Sequence, residues 1–315
     1  MAKLRDTHTG NTLTSPNRKI KLPKVVYPKP NIHATLVASK RGDEEKLAEG
    51  LTTLHEEDPT FIFDHNQETT ELVLSGQGEL HLDVIKGRLK NRFHVEIDLT
   101  QPRVAFRETI RKPAEAKYRH KKQSGGAGQF GEVWMRIRPG ERDSGVEFTH
   151  SLVGQNVDRV FVPSVEKGVR SASTDGILAG YHVSDVFIDF YDGKMHPVDS
   201  KDIAFQIAGK GAFREAFKAA GPCLLEPIMQ MEIRVPGAYL GDVMGDISSI
   251  RGRILGVDVD GKYQVVKALA PEMELYRYAT KLRSMTGGSG VHTEEFSHYE
   301  YSPPDVEAQI VNSSN

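Results

Sequence analysis

One succession of segments occurs twice in these 315 residues, and it restricts the fold more than any other feature. In the first copy, "IHATLVASK" reads as a strand, and "DEEKLAEGLTTLHEE" places Leu47, Leu51 and Leu54 at helical spacing. Asp43, Glu44 and Glu45 fall in the first turn, where the helix dipole favours negative charge, and Pro59 helps to end the helix. "FIFDH" and "TELVLSG" read as two strands. "GELHLDVIKGRLKNR" is a second helix with Leu82, Ile85 and Leu89 on one face. "FHVEIDL" alternates Phe93, Val95, Ile97 and Leu99 as a closing strand. The second copy runs "IMQMEIRVP", a helix stripe of Leu240, Val243, Met244, Ile247 and Ile250, and a hairpin of "GRILGVDVDG" and "YQVVKALA" turning at Asp260 and Gly261. It continues with "PEMELYRYATKLRS", a helix expected to start at Pro271, and the strand "VHTEEFSHYEY". Each copy is βαββαβ, a ferredoxin-like unit.

Between the copies lies a different segment, roughly 103–222. "RVAFRETI", "AEAKYRHKKQ", "EVWMRIRP" and "GVEFTHSLV" read as strands. Val165, Val169 and Ala172 mark a helix after Pro163, and "HVSDVFIDFY" is another strand. After the loop "DGKMHPVDS", an alanine-rich helix is expected from about Lys201 to Ala219, with Ser200 placed to cap it. The expected fold class is therefore α+β and multidomain: two ferredoxin-like domains flanking a mixed α+β domain.

Composition narrows the function. The formal net charge is −2, so no global basic field draws the chain to nucleic acid, and any RNA or phosphate site must be a local patch. The single cysteine, Cys223, cannot form an internal disulfide, and a reducing cytoplasm is expected. "MAKLRDTHTGNTLT" has no apolar run of the signal-peptide kind, and no membrane-spanning stretch is found.

The stretch "GAGQFGEV" fits the protein-kinase pattern G-x-G-x-x-G-x-V through Gly126, Gly128, Gly131 and Val133. The kinase parts that should follow are missing. The next lysine after Gly131 is Lys167, on a predicted helix, and neither H-R-D nor D-F-G is present; "APE" occurs at 270–272 without room for a kinase lobe. A dinucleotide loop needs a helix after its glycines, and here Val133, Met135 and Ile137 alternate with polar residues as a strand. What remains is a glycine-rich hairpin loop, entered by a basic strand of Lys117, Arg119, Lys121 and Lys122 with Tyr118 and His120 between them. Cations and an aromatic beside a loop that allows close backbone approach suit a nucleic-acid backbone. A solvated charged strand with a long turn fits the same residues.

Two local groupings lack the geometry for chemistry. His196, Asp199 and Ser200 have the residue types of a hydrolase triad, but crowded into one loop they offer neither an oxyanion hole nor a nucleophile elbow. Glu79, His81 and Asp83 alternate along a helix, so one face cannot present all three to a metal.

Over about residues 20–312 the chain resembles the C-terminal portion of elongation factor G, the ribosomal translocase. "LHEEDPTF" and "SGQGELHLDVIKGRLKNRF" look like that family's third domain. "VAFRETI", "KKQSGGAGQFGEV", "DGKMHPVDSKDIAF" and "LLEPIMQMEI" look like its fourth. "YLGDVMGDISSIRGRILGV", "YATKLRSMTGG" and "EFSHY" look like its fifth. The resemblance implies domains at 29–101 (III, ferredoxin-like), 102–224 (IV, elongated and of the ribosomal protein S5 domain 2-like type) and 225–300 (V, ferredoxin-like). Residues 1–28 would be the tail of a β-barrel domain, and 301–315 a helix and tail packing on domain IV. It further implies that the GTPase domain, with GTP and magnesium, lies upstream, so that this chain is a non-enzymatic fragment holding no cofactor, catalytic group or metal. The longer protein would be a cytoplasmic, monomeric GTPase working on the ribosome, with rRNA, ribosomal proteins and the tRNA–mRNA duplex as partners and no membrane.

By the same resemblance, two loops, 124–131 and 193–200, form the tip of domain IV. Gln129 and His196 match positions that meet the tRNA–mRNA duplex, with Ser124, Gly125, Gly126, Gly128, Phe130, Gly131, Met195 and Asp199 around them. Lys117, Arg119, Lys121, Lys122, Arg251 and Arg253 are the candidates for rRNA. The chain departs from the family pattern where Ala127, Ile250 and Ser289 replace usual cations, which points to a diverged paralogue. A ribosome-protection or regulatory factor without ordinary translocase activity is the alternative role.

Overall fold

The computed structural model describes residues 7–15, 17–123 and 128–314. Within these, residues 7–15 and 17–31 form no helix or strand. The chain divides into two compact units. One takes the described residues up to Val104 together with Ile228–Ser297; the other takes Ala105–Pro227 and the residues from His298 on.

In the first unit, β1 (Ile32–Ala38), α1 (Glu44–Glu57), β2 (Ile62–Asn66), β3 (Glu71–Gly76), α2 (Glu79–Arg88) and β4 (Ile97–Thr100) follow one another. Their antiparallel sheet has the order β2-β3-β1-β4, as a ferredoxin-like unit requires. Leu47, Leu51 and Leu54 of α1 and Leu82 and Ile85 of α2 are buried against it. The closing strand is shorter than its alternation implies. Leu89–Phe93 is a π-helical turn, and His94 takes the left-handed conformation at φ 57° before β4 begins. Val95 is still buried, so the apolar alternation is met by the turn instead of by sheet pairing.

In the second unit, β5 (Arg107–Ile110) precedes a four-stranded sheet formed by β6 (Ala114–Lys122), β7 (Gln129–Pro139), β8 (Val146–His150) and β9 (Val186–Lys194), with α3 (Val162–Asp175) and α4 (Asp202–Ala219). The sheet order is β6-β7-β9-β8, and β8 and β9 are parallel. Both helices pack on one face of the sheet. Val165, Val169 and Ala172 of α3 and Phe205, Ala208, Phe213 and Phe217 of α4 share a core with Val133, Met135, Ile137, Ile188 and Phe190.

β10 (Pro222–Pro236) begins in the second unit, pairing with β5, and continues in the first, pairing with β12. α5 (Leu240–Ser249), β11 (Arg253–Asp260), β12 (Tyr263–Pro271), α6 (Tyr278–Met285) and β13 (Val291–Tyr301) complete the second βαββαβ succession, in the order β11-β12-β10-β13. Pro271 ends β12 and does not open a helix. A 3-10 turn at Glu272–Glu274 and left-handed Arg277, φ 60°, intervene, and α6 starts only at Tyr278. Leu275 and Tyr278 are both buried, which is why their spacing resembles one continuous helix. α7 (Pro304–Ser314) belongs to the second unit, where Glu307 accepts from the backbone N–H of Leu224 at 3.3 Å and faces Arg111 at 3.6 Å.

The two ferredoxin-like domains meet within the first unit. Ala279 of α6 packs into the core beneath β1–β4, and Arg283 donates to the Gln77 carbonyl at 3.1 Å. Arg277 pairs with Glu79 at 3.1 Å. A cavity of about 350 Å³ lies here, lined by His33, Met229, Glu272, Glu294 and Phe296 among others. His33 Nε2 reaches Glu294 at 3.3 Å, with His292 Nε2 at 3.8 Å from the same carboxylate. Burial works to raise the Glu294 carboxyl, but the two imidazoles hold it at about 2. Glu272 is pushed the other way, above its ordinary value, by burial and by the charge of Glu294.

Candidate nucleic-acid interface

The β6–β7 hairpin closes with Lys122 opposite Gln129, so the glycine-rich stretch does join two strands. Ser124, Gly125, Gly126 and Ala127 lie outside the described residues. Gly128 to Gly131 lie inside, and they are held by the segment that follows β9. The Gly128 N–H donates to Asp199 Oδ1 at 3.1 Å, and the Phe130 N–H donates to the Asp199 carbonyl at 2.9 Å. A Cβ on Gly128 would come within 2.9 Å of the Asp199 carboxyl carbon, so the absence of a side chain is what permits the contact. Gly131 serves the same end: its Cβ would lie 3.2 Å from the backbone of Ala204 in α4.

Ser200 is not a helix cap. α4 begins at Asp202 with Lys201 at its N-cap and no side-chain cap. Ser200 Oγ accepts from the His196 N–H at 2.8 Å and donates to the Phe130 carbonyl at 2.9 Å. The hydroxyl therefore rivets one tip segment to the other, which is a better use of a donor–acceptor group than one more orphan N–H at a solvated helix end.

His196 is set by the same turn. Its Nδ1 accepts from the N–H groups of Val198 at 3.3 Å and Asp199 at 3.2 Å. With Nδ1 an acceptor, the neutral ring carries its proton on Nε2. Asp199 Oδ2 stands 3.5 Å from the same Nδ1. The His196 side chain is half exposed, and its ring centroid is 6.3 Å from that of Phe130. Met195 is exposed beside it, its N–H donating to the Asn156 carbonyl at 3.2 Å. Gln129 is the first residue of β7, and its Oε1 accepts from His120 Nε2 at 3.0 Å. Its amide N–H groups make no hydrogen bond among the described residues.

The basic strand separates into two kinds of cation. Arg119 is committed to Glu132, whose carboxylate is buried and also accepts from Trp134 Nε1 at 2.8 Å. Burial works to raise the Glu132 carboxyl, but the Trp134 and Arg119 hydrogen bonds hold it below its ordinary value. Lys117 lies over the Trp134 ring, 5.7 Å from its centroid. Lys121 and Lys122 are exposed and form no ion pair among the described residues. Arg251 and Arg253 belong to the other unit. Arg251, at φ 59°, pairs with Glu274 at 3.1 Å, and Arg253 opens β11 opposite Leu269.

The remaining groupings are structural. His81 Nδ1 accepts from the Gln77 N–H at 3.2 Å and its Nε2 donates to Asp58 at 3.1 Å, while Glu79 faces Arg277. No set of three metal-ligating side chains occurs among the described residues. Nor is any helix there long and apolar enough to cross a membrane.

Three family models match the chain in succession: elongation factor G domain III over residues 27–101, domain IV over 102–221 and the elongation factor G C-terminus over 223–310. The chain belongs to the elongation factor G family. A crystal structure of a protein from Thermus thermophilus is 40% identical to it, with a TM-score of 0.83 over 93% of this chain. The match takes in 44% of the Thermus chain, so this chain spans less than half the length of that relative. The Ser124–Gly131 and Gly193–Ser200 segments both fall within the domain IV match.

One buried residue had no place in the sequence-level reading. Glu108 is fully buried and accepts from four backbone N–H groups, those of Ile177, Leu178, Ala179 and Tyr181, at 2.6–3.1 Å. The alternation of Phe106, Glu108 and Ile110 puts a carboxylate in register with two core residues, and that was the available signal.

Proposed function

We propose that this chain is the ribosome-engaging part of an elongation factor G-like factor, and that the tip of its domain IV holds the tRNA–mRNA duplex in the decoding site during translocation. The observation that carries the reading is the clasp between the tip segments. Asp199 and Ser200 hold Gly128 and Phe130 in place, while the Nε2–H of His196 and the amide N–H groups of Gln129 remain available as donors. Donors of this kind suit the ribose hydroxyls and base edges of a minor groove. GTP and magnesium would act from a separate domain of a longer, monomeric cytoplasmic protein, whose rearrangement moves domain IV; the chemistry proposed for this chain is contact with rRNA, ribosomal proteins and the duplex.

Gln129→Ala and His196→Ala, placed in the longer protein, test this. Each is expected to slow translocation about tenfold, the equivalent of one hydrogen bond to RNA, while ribosome-stimulated GTP hydrolysis stays near wild type. Equal loss of both activities would remove the isolated role of the tip.

A second reading, a ribosome-protection or regulatory factor, is favoured by domain V. Ile250 is buried in that domain's core, and Ser289 Oγ donates to the Thr286 carbonyl at 2.6 Å. Neither position offers a cation to RNA. A polypeptide-synthesis assay separates the two, since only the first role sustains chain elongation.

A further inference from the structure

The helices of domain IV cover only one face of its sheet. Tyr118 faces α4, lying where a Cβ on Gly211 would come within 2.5 Å of its ring. Alternation then turns Lys117, Arg119 and Lys121 to the opposite face. Cross-strand register places Lys121 beside Phe130, Arg119 beside Glu132, and Lys117 beside Trp134. Phe130 and Trp134 are half-buried, four residues apart on the same face, or about 13 Å along the strand. Tyr191 of β9 extends this surface, its ring 6.3 Å from Trp134 and edge-on to it.

Charge is uneven along the face. Of the carboxylates in its tip-proximal half, Glu132 is buried beneath Arg119 and Trp134, and Asp192 of β9, opposite Trp134, is half-buried and accepts from Asn156 Nδ2 at 3.3 Å, so the fully exposed groups there are cations. Exposed acid returns only farther from the tip, at Glu115. Cations interleaved with aromatic faces bind the phosphates and unstacked bases of a single strand, and do so without reading sequence. A duplex keeps its bases stacked and offers them no face.

We infer that this open face, from Phe130 to Trp134, is a track for single-stranded RNA continuous with the tip. The inference rests on the proposed RNA-directed role of the tip loops and extends it to a surface that a duplex would not use. Bases stack on Phe130 and Trp134, while Lys117 and Lys121 meet the phosphates.

Trp134 is the only tryptophan in the chain, so its fluorescence reports on this face alone. Titrating the 315-residue chain with an unstructured RNA oligonucleotide is expected to quench that signal saturably, and a duplex of the same length to quench it far less. Two phosphate contacts predict a log–log salt slope of about −1.4, and Lys117→Ala with Lys121→Ala should bring it close to zero. Measured by anisotropy of labelled RNA, Trp134→Leu should bind roughly 5- to 150-fold more weakly, and Trp134→Phe close to wild type. Binding of labelled RNA without a change in Trp134 fluorescence would overturn the track while leaving the tip reading intact. Equal quenching by inorganic polyphosphate would overturn it as well, because charge alone would then account for the signal. Absence of RNA binding in both measurements overturns the track and leaves the tip to its translocation test.

Discussion

Two carboxylates at the two ends of β9 do the same job in different surroundings. Near its start, Glu108 accepts four backbone N–H groups of the 177–181 segment and is sealed from water. Past its end, Asp199 accepts the Gly128 N–H with a side chain one-third exposed. Each ties together stretches of chain about seventy residues apart. The buried clasp has no substitute for its donors, because water cannot follow them. The exposed clasp competes with water throughout, so it can position a loop without making the fold depend on it. A binding surface needs the second kind, since its polar groups must exchange partners at low cost.

The sharpest way to break this comparison is to remove the buried clasp. Glu108→Ala is expected to cost about 3–5 kcal/mol in chemical denaturation of the chain, since charge-assisted hydrogen bonds contribute about 1.5–3 kcal/mol each and do not add fully. A cost under about 1 kcal/mol would mean that the 177–181 segment hydrates readily, and the distinction would fail.

Glu294 offers an intermediate case: less buried than Glu108, with a side chain 14% exposed, and partnered by the His33 and His292 imidazoles. Its folded value of about 2 lies below the ordinary 4.5, so the carboxylate stabilises the fold above pH 4.5. That contribution, at most about 3 kcal/mol, should be lost as pH falls from about 4.5 towards 2. Glu294→Gln should flatten the stability profile in this window. Glu272 shifts oppositely, so Glu272→Gln should be neutral or stabilising at pH 7.

Next in size is Gly193, where a Cβ would lie 2.2 Å from the Glu132 carbonyl. Gly193→Ala must push β9 from β7 and is expected to cost about 1–3 kcal/mol. Amide exchange should speed up along the tip-proximal ends of both strands.

The exposed clasp should give the smallest stability effects. Asp199→Ala is expected to cost about 0.5–1.5 kcal/mol, with faster amide exchange at Gly128 and Phe130. Lys121→Ala should fall within about 0.5 kcal/mol of wild type and register only in the salt dependence of RNA binding. If Asp199→Ala rivalled Glu108→Ala, the tip would be a structural core and not an adaptable surface.

Hydrophobic periodicity was sufficient for the repeated βαββαβ order, because a half-buried strand and an amphipathic helix each print their own period on the chain. The leucines of α1, the hairpin at Asp260 and the extent of β13 were all legible in this way. Long motifs were sufficient for the resemblance to elongation factor G. Tertiary structure decided what a period cannot encode. It turned the start of the expected strand at 93–99 into a π-helical turn, delayed α6 to Tyr278, and gave Ser200 a bridging role in place of a cap. It also divided the basic strand into Arg119, committed to a buried carboxylate, and Lys121 and Lys122, which remain solvated. Local sequence reports how much of a segment is buried. Which polar group meets which is settled only when segments dozens of residues apart come within hydrogen-bonding distance.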